Sequence, residues 1–416
     1  MSSVPLEIQE EIMKRLPVRS LLQFRSLSKA WKSLIDSSDF ITHYYASNQL
    51  QHLLVRYLDP VDSKHKFVSI VDDDTFPQQK VPLAIPMLVD MYHSYRIIGI
   101  SHGLLCLYGH DAVGSYMAVV WNPSVRKSVG VVVPNVPDMS QDIYEVALGF
   151  WACGETSDLK IVKITYIDIW TEMDSIPESM PDTIPIPSQV EVFTLSTGAW
   201  RSPYSTTNLP RKSLQFDNYS QVVIDGSLYW LAMDCCTGEE LLTCNLIISF
   251  DMISEEFKQV SLPHSLAHRI YLGDLHLSKL RNSLVVLQQD VVWIMEDAVQ
   301  NSFTKLYAIR IPDQSVRTTV VGFRKTGEPV IEYVATMVGD SSSSNLFNNV
   351  EISGMLSFYV YAYTETLLLL DQPDSTIYNQ GKRYILQGLG NMHPDTGKVN
   401  DSSSHIVGEC TCAFRF

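Results

Sequence analysis

Apolar residues change their spacing once along this chain, near residue 51, and the change sets two separate folding problems. Before it they fall at helical intervals. Pro5, Ile8, Ile12 and Leu16 make one stripe of a short amphipathic helix over 4–16. Pro5 stands where a first-turn proline is tolerated, and Pro17 stops the helix. Glu7, Glu10 and Glu11 come early and Lys14 and Arg15 late, an order that suits the helix dipole and provides two i,i+4 ion pairs. A second helix is expected to start near Ser20 with Leu21, Leu22 and Phe24 apolar. A third carries Leu27, Trp31, Leu34 and Ile35, with Phe40 as a further anchor.

Three short helices in about 45 residues bury little surface and are marginal alone. Their apolar stripe must therefore pack on the rest of the chain or bind a partner. Phe24, Trp31 and Leu34 are expected to pack internally.

Beyond residue 51 the pattern becomes one of short apolar runs with β-branched and aromatic residues, starting with His52–Tyr57 and Lys66–Val71. Asp72, Asp73 and Asp74 then read as a solvated turn, since a metal loop would space its oxygens around a turn glycine. A loose repeat follows, in which a glycine-led aliphatic strand precedes a strand ending in a turn and an aromatic. Gly103–Leu107 leads to Val119–Pro123, Lys160–Ile164 to Val190–Leu195, Gly226–Leu231 to Ile247–Asp251, and Leu284–Met295 to Lys305–Ile309. Sheets of this kind each need a neighbour to cover their faces, and radial stacking supplies one. Trp121, Trp200, Trp230 and Trp293 read as core. The proline-rich stretch 172–189 and the serine-rich stretch 340–349 read as loops, where recognition most often sits.

The head resembles the plant F-box. The residues that carry the likeness are Val4-Pro5-Leu6-Glu7-Ile8, Ile12 through Leu22 with its Arg-Leu-Pro-Val-Arg-Ser-Leu run, Phe24-Arg25, Ser28-Lys29-Ala30-Trp31, Leu34-Ile35 and Phe40. Val4 replaces the usual leading Leu, and Arg19 the usual Lys. The body resembles the F-box-associated, kelch-like domain of plants, through Ser101–Leu107, Trp121-Asn122-Pro123, Val190–Arg201, Gly226–Leu231, Ile248–Asp251 and Val292–Met295. The double-glycine blades of true kelch repeats are missing.

The resemblance implies a small all-α F-box head over 1–45, connecting strands and linker over 46–95, a β-propeller-like domain over 96–390 and a polar tail over 391–416. It implies the substrate-recognition subunit of an SCF-type cullin E3 ubiquitin ligase, with no catalytic role of its own. The head would bind the Skp-type adaptor, and through it a cullin, by Pro5, Leu6, Ile8, Ile12, Leu16, Pro17, Val18, Leu21 and Leu22. The β domain would bind a target protein.

The remaining features limit other classes. With 31 basic and 46 acidic residues the net charge is −15, which opposes broad contact with nucleic acid. No run approaches the roughly 20 apolar residues of a membrane span, and the N-terminus lacks a secretory apolar core. Seven irregularly spaced cysteines suit free thiols in a reducing compartment, hence the cytoplasm or nucleus. No cofactor or metal is expected: Thr396-Gly397-Lys398 lacks the upstream glycine of a phosphate loop, and Cys410-Thr411-Cys412 lacks partner ligands at zinc spacing. Glu239-Glu240 and Glu255-Glu256 read as surface charge and His102 as structural. The alternative is a propeller enzyme under a helical cap, which requires acid, histidine or metal groups converging at the mouth of the ring.

Overall fold

The computed structural model describes residues 4–47, 50–92, 94–111, 114–134, 144–154, 156, 158–167, 189–205, 209–237, 242–268, 271–297, 302–309, 316–335, 343–346, 352–354, 358–387 and 391–394. The stretch 172–188, most of 340–349, Glu239-Glu240, Thr396-Gly397-Lys398 and Cys410-Thr411-Cys412 lie outside them.

The head holds four helices where the spacing predicted three: α1 (Leu6–Met13), α2 (Val18–Leu27), α3 (Lys29–Ile35) and α4 (Ser38–Ser47). Pro5 and Pro17 are the N-cap residues of α1 and α2, so each proline sits just outside its helix, where no N–H is needed. The Ser28 side chain accepts from the Trp31 N–H and separates α2 from α3. The fourth helix was hidden in sequence because Phe40 and Tyr44 both point inward, with Thr42 and His43 between them.

Among the described residues, alternating and fully apolar strands then build six sheets. The first contains β1 (Gln51–Leu58), β2 (His65–Val71) and β3 (Lys80–Leu83). Helix α5 (Met87–Asp90) leads to the second, β4 (Ser94–Ser101), β5 (Leu104–His110), β6 (Tyr116–Asn122) and β7 (Lys127–Val132). The third has β8 (Tyr144–Ala152), β9 (Leu159–Ile167), β10 (Val190–Thr194) and β11 (Ala199–Arg201). The fourth has β12 (Leu214–Ile224), β13 (Ser227–Thr237), β14 (Leu242–Asp251) and β15 (Phe257–Ser261). After α6 (His264–Ala267) come β16 (Leu275–Leu280), β17 (Ser283–Gln288), β18 (Val291–Asp297) and β19 (Ser302–Ala308) in the fifth. The sixth has β20 (Val316–Phe323), β21 (Pro329–Ala335), β22 (Ser343–Leu346) and β23 (Ser353–Gly354).

The chain then returns. β24 (Tyr359–Thr364) pairs antiparallel with β1, giving the first sheet the order β24-β1-β2-β3. β25 (Thr376–Asn379), β26 (Lys382–Gln387) and β27 (Asn391–Pro394) extend the second sheet beyond β7. Segment 46–95, expected to connect the two parts, therefore supplies three strands of a propeller sheet, and the expected tail begins with a strand. Both extensions follow from pairing: β1 is a central strand, and β24 covers its inner edge.

Among the described residues, six apolar clusters fill the joints of the ring. One joins the first and second sheets through Leu54, Phe67, Trp121 and Tyr363. Others join the third to the fourth through Trp230 and Val192, and the fourth to the fifth through Leu231 and Val286. Val285 and Val320 join the fifth to the sixth, and Val330 and Leu53 join the sixth to the first. The joint between the second and third sheets is larger because the helical head packs into it. The four tryptophans are core, as their settings in strands predicted: Trp121 and Trp230 are buried, and Trp200 and Trp293 are half-buried against these clusters. Strands β4, β12, β16, β20 and β24 surround an axial cavity of about 610 Å³.

Candidate functional site

The head presents two unlike faces. Its inner face is sealed against the propeller. Met13, Val18, Leu21, Ile35, Phe40, Ile41 and Tyr44 share one buried cluster with Leu104, Val120, Phe150 and the run Leu367–Leu370. Polar contacts fix the placement. The Val18 N–H donates to Glu365 Oε2 at 3.1 Å, and the Tyr44 hydroxyl donates to the Leu16 carbonyl at 2.9 Å. Burial pushes the Tyr44 phenol well above its ordinary pKa, so it stays a donor. The ring of Tyr45 lies on His102, centroids 4.8 Å apart. His102 has a left-handed φ of 48° in the β4–β5 turn, a packing role that matches its structural reading. Its neighbour Gly103 also has positive φ, and a Cβ there would fall 2.2 Å from the Thr364 carbonyl, so only glycine lets β24 end so close to this turn.

The outer face is open. Leu6, Ile8 and Ile12 on α1 are 52%, 52% and 54% exposed, and Pro5 beside them is exposed. Ile8 and Ile12 stand i,i+4 on one side of the helix. Lys14 is ion-paired to Glu10 at 2.9 Å and Glu11 at 3.0 Å; its hydrogen bonds to these carboxylates raise its pKa. The Trp31 indole N–H donates to Gln9 Oε1 at 2.8 Å and holds α1 against α3. Asp36 accepts from Arg25 at 3.0 Å and from Lys32 at 2.8 Å. Burial pushes the Asp36 pKa up, but these two cations outweigh it and leave it lowered.

The nine residues expected to bind the adaptor thus divide. Pro5, Leu6, Ile8, Ile12 and Pro17 are exposed, and Leu16 and Leu22 are half-buried against the core. Val18 and Leu21 are 0% exposed. Those two are corrected from contact residues to internal ones, because α2 lies with that side on the propeller. Phe24 and Trp31 pack internally as predicted, edge to face at 5.2 Å. Two exposed apolar side chains were missed. Val4 is 52% exposed, and Leu27, read as part of the third helix's inward stripe, is 72% exposed at the end of α2. Ser28 was the available signal, since a serine N-cap there cuts Leu27 off from α3.

Two acidic readings also change. Asp72 is fully buried at the joint of the first and sixth sheets, bonded to Arg324 and to the Lys325 N–H. It is neither a solvated turn residue nor a cation ligand. Glu255 is fully buried and gathers Lys160 at 3.0 Å, Arg201 at 2.6 and 2.8 Å and the Tyr204 N–H at 2.8 Å. Sequence could not show this, since both cations come from the third sheet and the N–H from the segment that follows it. Among the described residues no group of three His, Cys, Asp or Glu side chains is placed to hold a metal ion.

Comparison with known families agrees with this division of the molecule. The F-box domain matches residues 1–43, and the F-box associated beta propeller domain matches residues 64–346. The chain belongs to the F-box proteins with an F-box associated propeller. Relatives of this F-box protein in Arabidopsis thaliana include F-box protein CPR1, 25% identical over 328 residues, which covers 75% of this chain and 74% of the relative. Putative F-box protein At1g47790 is 25% identical over 379 residues, covering 85% and 86%. F-box/kelch-repeat protein At3g23880 is 24% identical over 284 residues, covering 66% and 70%. In this F-box protein the propeller match stops before β24, yet β24 completes the first sheet and the following Leu367–Leu370 run completes the seat of the F-box.

Proposed function

We propose that this F-box protein is the substrate-recognition subunit of an SCF-type cullin E3 ubiquitin ligase. The carrying observation is the outer face of the head: Leu6, Ile8 and Ile12 stay uncovered on a helix whose other side is already sealed. Aliphatic side chains on a rigid, proline-capped helix suit the apolar centre of a protein interface. The Skp-type adaptor would cover Pro5, Leu6, Ile8, Ile12, Leu16, Pro17 and Leu22, with Val18 and Leu21 holding that surface from beneath. A target protein would sit on the propeller. The receptor's contribution is then effective concentration and orientation, with ubiquitin transfer left to other subunits. The free thiols of Cys106, Cys153 and Cys244 support a reducing setting, the cytoplasm or nucleus. Among the described residues no helix is long and apolar enough to cross a membrane. The test is co-purification of the full chain with a Skp-type adaptor and cullin. A folded protein that retains neither rejects the reading.

A further inference from the structure

A cation is buried at the end of the propeller away from the F-box, and among the described residues no acid pairs with it. Arg56 on β1 is 5% exposed. Its guanidinium lies between two aromatic rings, 5.2 Å from the Tyr95 centroid and 5.0 Å from that of Tyr359. Its guanidinium donates to another nitrogen, His65 Nε2, at 2.8 Å. Among the described residues no carboxylate lies within ion-pairing distance of it. The end of the ring is set by strand direction. Tyr95 and Tyr359 open β4 and β24, whereas Ser101 and Thr364 close them beside the head, roughly 20 Å away at about 3.3 Å per residue.

Hydrogen-bond logic shows what the cluster lacks. A guanidinium can only donate, so His65 Nε2 must accept from it, and the ring proton is then on Nδ1. That Nδ1 is buried without a partner. Arg56 Nε is another buried donor with no acceptor, and the buried Tyr95 hydroxyl has no acceptor for its proton. His65 stacks edge-on to Tyr95 with ring centroids 5.5 Å apart, so the three groups are close neighbours. Burial, helped by the Arg56 charge, pulls the His65 pKa down to about 4, so it is neutral at pH 7. Asp90 reaches Tyr95 through its field, and the Arg56 guanidinium reaches the Tyr95 hydroxyl as a donor. Every unmet group here is a donor, and the one full charge is positive. A water could accept from the donors but would leave the charge buried and unpaired, which is costly.

We propose that Arg56, His65 and Tyr95 form a binding site for one oxyanion, a carboxylate or a phosphate group. The oxyanion accepts from Arg56 Nε, His65 Nδ1–H and the Tyr95 hydroxyl, and its charge offsets the guanidinium. The acidity of the chain makes adventitious anion uptake unfavourable, so a specific response would stand out.

The test uses the full chain at constant ionic strength in chloride. Inorganic phosphate and N-acetyl-aspartate amide are titrated separately, with thermal midpoint and the His65 ring NMR signals as readouts. A saturable rise in midpoint with either probe, together with a His65 pKa moved upward by the added negative charge, is the expected result. Phosphate alone giving it identifies a phosphate group, and the aspartate mimic giving it identifies a side-chain carboxylate. Tyr95→Phe, which removes one oxygen and keeps the ring, should weaken the response about tenfold, and Arg56→Gln should abolish it. No saturable response to either probe, or one of equal size in Tyr95→Phe, overturns the proposal and leaves ordered water, or an adventitious ion only, at the cluster.

Discussion

Arg324 and Asp72 are bonded across the closing joint of the propeller, 252 positions apart in sequence, with Arg324 Nε donating to Asp72 Oδ1 at 2.9 Å. The Lys325 N–H adds a second bond at 2.6 Å, and Arg324 lies over the Phe76 ring at 4.1 Å. Asp72 is thus a clasp between the first and sixth sheets. Asp72→Ala removes the buried partner of Arg324 and leaves it only the exposed Glu328 carboxylate and the Asp73 carbonyl, and should cost about 1–3 kcal/mol in denaturant unfolding. Hydrogen exchange should quicken first along β24 and β1. Unchanged stability would remove the clasp.

Ile12 and Leu21 separate binding from folding. Ile12→Asp places a charge on an exposed helix position and should change stability by no more than about 0.5 kcal/mol, while adaptor co-purification is lost. Leu21→Ala should instead destabilise by about 2–5 kcal/mol and leave the outer surface chemically unaltered. A folded Ile12→Asp protein that still captures the adaptor counts against the docking face.

Glu255 makes an acid-sensitive joint. Burial pushes its pKa up, but hydrogen bonds from Arg201, the Tyr204 N–H and Lys160 outweigh it and leave it below the usual 4.5. A carboxylate with a lowered folded-state pKa stabilises above its unfolded pKa, and the benefit fades as pH falls through the folded value. Stability should therefore drop below about pH 4.5. Glu255→Gln should be less stable at neutral pH and lose less on acidification, as read by thermal midpoints.

His65 gives a second acid-sensitive group, with the same sign, in a nearby window. Its folded pKa of about 4 lies below the ordinary 6.5, so the unfolded chain takes up the proton first. Its contribution is complete above pH 6.5 and diminishes from there towards pH 4. His65→Gln should flatten the stability curve across that interval. An unchanged curve would mean that His65 is not held neutral.

Much of this architecture is legible in the sequence. Local periodicity exposed α1 and α2, since their stripes lie within single helices. Runs such as Gly103–Leu107 and Gly226–Leu231 announced sheets that need neighbours. What stayed hidden depends on distant parts of the chain. Nothing near Gln51 says that β1 awaits a strand from Tyr359–Thr364, and nothing near Asp72 points to Arg324. Likewise, the exposure of Ile12 against the burial of Val18 depends on where Leu367–Leu370 lies.

The return of β24 to β1 also governs the order in which a nascent chain can mature. The head and the first three strands leave the ribosome early but wait for residues 359–370 before the ring closes and the helices gain their seat. A message interrupted shortly before that point would yield a product with its α1 sequence intact and its reader unfinished. Such a fragment would lack both the closed ring and the seat that fixes the head.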